Sequence, residues 1–235
     1  MKAPWYERNT RLLEATRTEL TAQYPDLRVV IEHGTVHIRG SFPVMDGAEV
    51  MDRFLIEIKF PFDYPESIPV LREVGGRIPW HEDRHVIPGN GEACPIVPEE
   101  WLIRPDHDSV LAFLNGPVRN FFLGQILVES GQPWPFGERS HGLPGLIEAY
   151  GEILGTFDEH ALRRYLDCLS KEALKGHWEC PCGSTKRLRD CHLNEVKSLR
   201  ERILPRVAQQ ALNRLDELSA RQRKNTTHPT SRRIE

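Results

Sequence analysis

Two groups of residues in this chain have the types and spacing to do chemistry. The first centres on Cys94, in the run PGNGEACPIVP, with His81, His85 and Asn90 upstream. A thiol ionises near pH ~8.5, so part of it is thiolate near neutrality, and a thioester formed on it stays reactive toward amines. A serine in its place would give a more stable oxyester. Ala93 and Pro95 are small or rigid neighbours that leave the sulfur approachable, and backbone amides of an irregular loop can stabilise a developing oxyanion. The second group lies in HWECPCGSTKRLRDCHL, as Cys180-x-Cys182-x8-Cys191-His192. Three sulfurs and an imidazole this close together suit Zn²⁺ in a closed, tetrahedral, structural site. Gly183 allows the tight turn beneath the first pair. With all four positions filled, no open coordination site for hydrolysis is expected.

Plainer readings stand beside these. A cysteine picked at random is usually a buried core residue, and three cysteines and a histidine can fall together by chance. His177 sits just outside the second group as an alternative to His192. Cys94 with His81 or His85 and Asp83 also supplies the members of a cysteine hydrolase. Hydrolases usually seat the nucleophile at a helix start, however, and PGNGEACPIVP is a poor one. The place of Asn90 beside Gly91 favours a turn role over contact with a thioester. Glu99 and Glu100 read as a solvated turn or as groups orienting an incoming lysine. Cys168 falls in a helical pattern and reads as a packed thiol. Asp106-His107-Asp108 lies where a helix should begin, so Asp108 is expected to cap it.

The elements that must position Cys94 follow from periodicity. Leu13, Thr16, Leu20 and Tyr24 share a face of a helix that begins after Pro4 and stops at Pro25. Val29 and Ile31, the turn His33-Gly34, then Val36, Ile38 and Phe42 read as antiparallel strands. Phe54, Ile56, Ile58 and Phe60 form the cleanest strand, and Pro69 to Val74 returns as another. Between Phe60 and Trp101 seven prolines rule out long regular structure, so this stretch, with Cys94 inside it, must be held by packing. Helix resumes after Asp108, and two further helices are expected over Pro144–Leu154 and Glu159–Leu174. After the Cys/His group, Val196, Leu199, Ile203, Val207, Leu212, Leu215 and Leu218 recur at helical spacing, with a kink at Pro205.

The ordered set Phe60-Pro61, Tyr64-Pro65, Pro69, the Asn90-Gly91 turn, Cys94 and Trp101-x3-Pro105 resembles the ubiquitin-conjugating enzyme family, over about residues 5–130. The resemblance implies an α+β fold with an N-terminal helix, a four-stranded antiparallel meander and C-terminal helices. It makes Cys94 the residue that carries an acyl group. The family's His-Pro-Asn before the cysteine appears here as His85-Val86-Ile87, without the Asn. His85 is therefore assigned to loop support and Asn90 to oxyanion contact.

Asp83-Arg84-His85-Val86 and the run Trp134 to Gly142 resemble divergent bacterial members of the fold found in antiphage (CBASS) operons. That likeness implies a thioester between Cys94 and the C-terminus of a cGAS/DncV-like nucleotidyltransferase or a ubiquitin-like protein. Transfer to target lysines would follow, with or without a separate activating enzyme. The chain has no nucleotide-binding glycine loop with which to adenylate a substrate itself. A non-catalytic binding module on the same fold, and a deconjugating hydrolase using Cys94 with His81 or His85, are the alternatives. The opening Cys-Pro-Cys-Gly-Ser resembles the SEC-C motif, first known at the C-terminus of SecA. It implies that Cys180, Cys182, Cys191 and His192 hold structural Zn²⁺ in an interaction module.

These readings divide the chain into a conjugating-enzyme-like domain (1–155), a helical connector (156–176), a zinc knuckle (177–194), a basic helix (195–221) and a disordered tail (222–235). Charge divides it similarly. Residues 1–170 carry 16 Lys and Arg against 26 Asp and Glu, and the remainder carries 15 against 8. The basic C-terminal part points to an acidic partner or to a solvated helix face. An odd cysteine count without a secretory leader or an apolar span implies a reducing, cytoplasmic location and no membrane.

Overall fold

The computed structural model describes residues 3–136, 140 and 142–227, in an α+β architecture that falls into two compact units, 1–138 and 139–235. The first unit opens with α1 (Trp5–Arg8) and α2 (Thr10–Gln23), which buries Leu13, Thr16 and Leu20. Asn9 caps α2, its side chain accepting from the Leu12 amide at 3.1 Å. Five strands then form one antiparallel sheet in chain order: β1 (Leu27–Glu32), β2 (Thr35–Asp46), β3 (Glu49–Lys59), β4 (Val70–Glu73) and β5 (Glu92–Ala93). The first four are the expected meander. The fifth is two residues long and sits immediately before Cys94, too short to leave a periodic signal.

Strand alternation places Ile38, Phe42, Phe54, Ile56, Ile58 and Leu71 on the inner face, all at most 2% exposed. Against them lies a helical run made of α4 (Val110–Phe113), one π turn (Leu114–Val118) containing Pro117, and α5 (Arg119–Glu129). Phe122 stacks on Phe54 at 4.5 Å between ring centres, and Phe42 on Tyr24 at 5.3 Å. Burying such rings is worth about 2–3 kcal/mol each and is the main stabilising term of this unit. Ser109 rather than Asp108 caps α4, its hydroxyl accepting from Ala112 N at 3.1 Å. Asp108 instead presents its carbonyl to the Tyr64 hydroxyl at 2.6 Å. A short helix, α3 (Pro98–Leu102), follows the cysteine and buries Trp101.

The second unit contains α6 (Leu143–Leu154), α7 (Glu159–Ser170), α8 (Leu193–Arg202) and α9 (Pro205–Thr227). Asp158 caps α7 through the Ala161 amide at 2.7 Å. Arg163 ties α7 to α9 through Asp216 and Ser219, at 2.5 and 2.9 Å. The expected single helix kinked at Pro205 is two helices. Ile203 leaves the helical region, and Pro205 occupies the first position of α9, where its missing N–H costs nothing. α9 runs through residues 222–227 of the stretch expected to be disordered, and 228–235 lie outside the described residues. Among the described residues no helix is long and apolar enough to cross a membrane.

Candidate active site and metal centre

Cys94 is exposed and stands one residue past β5, four residues short of α3, so it is not at a helix start. It belongs to a tight hairpin. Val86 pairs with Ala93, the Ile87 amide donates to the Glu92 carbonyl at 2.9 Å, and the Cys94 amide donates to the His85 carbonyl at 2.8 Å. β5 is thereby held on both sides, by the hairpin arm on one and by β4 on the other. The Asn90-Gly91 tip closes it: Gly91 has φ 70°, and Asn90 Oδ1 accepts from the Glu92 amide at 3.0 Å. The side-chain carbonyl of Asn90 thus serves the turn. The Trp80 indole lies against Gly91, where a Cβ would meet ring atoms at 2.5–2.9 Å.

His85 caps the 3₁₀ turn Glu82–Arg84 in the left-handed region, at φ 51°, uncommon for a residue with a Cβ. Three contacts hold this turn. Gln125 on α5 is fully buried and accepts from Arg84 Nε while its amide donates to the Arg84 carbonyl, both at 2.7 Å. The His85 ring packs on Trp134 at 4.1 Å between centres, the two planes tilted by 38°. Trp134 in turn sits in a notch at Gly124, where a Cβ would meet its ring at 2.4–2.8 Å. His81 belongs to the same turn as its cap, its Nδ1 3.3 Å from both the Asp83 amide and an Asp83 carboxylate oxygen.

The loop support expected of His85 is thus joined by Arg84, Gln125 and Trp134. Gln125 had a signal in the sequence, a lone amide inside the apolar run FFLGQILV. Its partner on a distant turn had none. Residues 137–139 and 141 of the Trp134–Gly142 run lie outside the described residues.

Downstream, Trp101 anchors the exit from the cysteine loop. Its indole N–H donates to the His107 carbonyl at 3.1 Å, and its ring packs on Phe113 at 5.4 Å. Arg104 and Asp106 form a two-pronged pair at 2.8 Å, which holds the Asp106 carboxyl below the usual range. The Asp106-His107-Asp108 cluster is therefore a structural corner.

In the second unit the side chains of Cys180, Cys182, Cys191 and His192 converge, their ligand atoms all within 4.8 Å of one another. Cys180 Sγ and Cys191 Sγ each lie 3.2 Å from His192 Nδ1, and Cys182 Sγ lies 3.7 Å from Cys191 Sγ. A tetrahedral ion about 2.3 Å from sulfur and about 2.0 Å from nitrogen requires ligand–ligand edges of about 3.5–3.8 Å. The donor set and its spacing therefore fit one metal ion, with His192 and not His177 in the set. A small hairpin brings the two pairs together, with the Cys180 amide donating to Lys186 and the Leu188 amide to Trp178. Gly183, at φ 83°, makes the turn, and Arg164 on α7 fastens it by donating to the Pro181 carbonyl at 2.9 Å.

The Ser184 hydroxyl beside Cys182 pulls that thiol down to about 6, while burial pushes Cys180 up to about 11. Burial, with Glu195 and the three cysteines beside it, pushes Tyr165 of α7 up to about 12. Lys186, Arg187 and Arg189 are exposed between the ligand pairs. Cys168 is a buried thiol of α7, away from this cluster of ligands.

No model of a known protein family, no curated protein and no solved structure matches this chain.

Proposed function

We propose that the first unit is a ubiquitin-conjugating-enzyme-like domain and that Cys94 carries an acyl group on it as a thioester. The observation that carries this reading is an exposed cysteine on a hairpin fastened to the sheet and, through Gln125 and Trp134, to the helical layer. Such a nucleophile is presented to a macromolecule rather than enclosed around a small substrate. The Cys94 thiolate attacks the carbonyl carbon of an activated C-terminus, held as a thioester elsewhere, and the donor thiol leaves. A deprotonated lysine amine then attacks the same carbonyl, an amide bond forms, and the Cys94 sulfur leaves and regains its proton.

The resemblance in sequence points to the C-terminus of a cGAS/DncV-like nucleotidyltransferase or a ubiquitin-like protein as acyl donor, and to antiphage defence as the setting. In the second unit the Cys₃His set holds Zn²⁺ as a structural ion, which supplies cross-linking and no reaction step. The exposed Lys186, Arg187 and Arg189 give that module a basic face for an acidic partner.

Co-expression with the genomic neighbours, followed by a non-reducing gel and mass spectrometry, tests the acyl-carrier reading. A covalent adduct at Cys94 that disappears with strong thiol is expected. Cys94→Ser should give an adduct resistant to thiol, and Cys94→Ala none. The absence of an adduct with every neighbour, Cys94 being unmodified, would transfer the first unit to the binding-module reading. Cleaved products that depend on Cys94 would instead identify a hydrolase.

A further inference from the structure

On the outer face of the sheet a row of charges crosses four strands, β2 to β5. Arg39, Glu57, Arg72 and Glu92 are directly opposite one another in β2, β3, β4 and β5. Arg39 Nε lies 2.6 Å from Glu57, and Arg39 reaches Glu32 of β1 at 2.7 Å. Arg72 lies 4.0 Å from Glu57 and 2.9 Å from Glu92. From β2 to β5 the signs alternate, as directly opposed cross-strand pairs favour, whereas in β1 the residue opposite Arg39 is Arg28 and Glu32, four positions along, supplies the carboxylate. Arg72 does more than fill its place, since its Nε also donates to the Asn90 carbonyl at the hairpin tip, at 3.2 Å. One guanidinium therefore grips the cysteine hairpin at two points.

The row ends on the thiol's own face. Ala93 pairs with Leu71, which is fully buried, and so faces the core; alternation puts Glu92 on the opposite face and, continued one residue past β5 where the Cys94 amide still bonds to His85, Cys94 as well. Two residues along a strand separate them by about 7 Å. A carboxylate at that distance disfavours the thiolate unless a cation neutralises it. Charged and titratable groups on elements around the hairpin are Glu92 on its own strand, Arg72 and Glu57 on the neighbouring strands, His85 on the opposite arm, His81, Glu82, Asp83 and Arg84 in the 3₁₀ turn that leads into it, and Glu99 and Glu100 in α3.

The geometry points to Arg72 as a positioning residue for Cys94. It clamps the tip that carries the cysteine and cancels the Glu92 charge beside the thiol. This inference rests on the reading of Cys94 as nucleophile, and its test needs no partner. The full chain and its variants are treated with iodoacetamide from about pH 6 to 9, and alkylation is followed at the Cys94 peptide by mass spectrometry.

Arg72→Ala is expected to slow alkylation near neutrality about threefold, the effect of one uncompensated charge at that distance, and to move the profile to higher pH. Glu92→Gln should match or exceed the wild-type rate, and the double variant should recover it, which loss of structure alone would not produce. Superimposable wild-type and Arg72→Ala profiles, or no recovery in the double variant, would overturn the inference and leave the acyl-carrier reading intact. Wild-type Cys94 resisting alkylation in the folded chain, and reacting only once the chain is unfolded, would overturn both.

Discussion

At the scale of single residues, the cysteine loop depends on two neighbouring residues of α5, Gly124 and Gln125, and on what they meet. Gln125 spends both ends of its amide on Arg84, fully buried. Gln125→Ala strands a carbonyl and one guanidinium contact in a dry site, which costs about 2–3 kcal/mol. A fall of that size in denaturant stability is expected, together with faster hydrogen exchange at the Cys94 amide. Unchanged exchange there would show that the turn holds its cysteine without Gln125.

Gly124→Ala presents an opposite pull. In an open helix it would stabilise by about 1 kcal/mol through propensity. Here the new Cβ meets the Trp134 ring, which must leave its place against His85. A lower melting temperature and a red-shifted tryptophan emission are expected, and a gain in stability would mean that the notch yields.

At the scale of elements, the outer sheet face carries the pH dependence. Burial pushes Glu57 up, but its hydrogen bond and charge contact with Arg39, aided by His37, outweigh this and hold it below its ordinary value of 4.5. A carboxylate whose folded value is depressed stabilises fully above its unfolded value and loses that contribution as pH falls through the folded one. Thermal melts taken below about pH 5 should therefore show a shallower acid decline for Glu57→Gln than for the wild type. At neutrality that variant should be the less stable of the two. Parallel curves would place the acid sensitivity elsewhere, for which Asp52 beside Arg77 and Asp106 beside Arg104 are further lowered carboxylates.

At the scale of the whole molecule, the two units draw their stability from different sources. The first buries a face of aromatic and branched side chains between sheet and helices, whereas in the second the small hairpin holding Cys180 and Cys182 has only Leu188 and a few neighbours as core. A metal ion held there would supply what so small a segment lacks, and its binding would require deprotonated ligands. Chelation, or Cys182→Ser, is expected to expose the backbone of residues 176–192 and to lower the stability of the second unit. Hydrogen exchange in the sheet of the first should be unaffected. One equivalent of zinc per chain, lost on acidification, is the matching prediction from metal analysis. A chain whose second unit melts identically with and without chelator would remove the structural role of the site.

Whatever depends on neighbours along the chain could be read from the order of residues. Periodicity marked α2, the strands around His33-Gly34 and Phe54–Phe60, and α6 and α7, because burying one face imposes a period on local residues. Proline density marked the irregular stretch around Cys94, and ligand spacing within thirteen residues marked the cluster of Cys180, Cys182, Cys191 and His192. What the tertiary structure alone decided involves partners distant in sequence or elements too short to have a period. β5 is two residues long and is held between β4 and a single bridge at Val86, so neither it nor the arm facing it is long enough to show a period. The grip of Arg72 on the hairpin, the clamp of Gln125 on Arg84 and the packing of Trp134 on His85 span 18 to 49 positions. Pro205 was visible as an interruption, but whether it bent one helix or opened the next was settled by Ile203, whose fully buried side chain turns the chain between α8 and α9. Local pattern fixes which residues face a core, and only packing fixes which distant residues meet there.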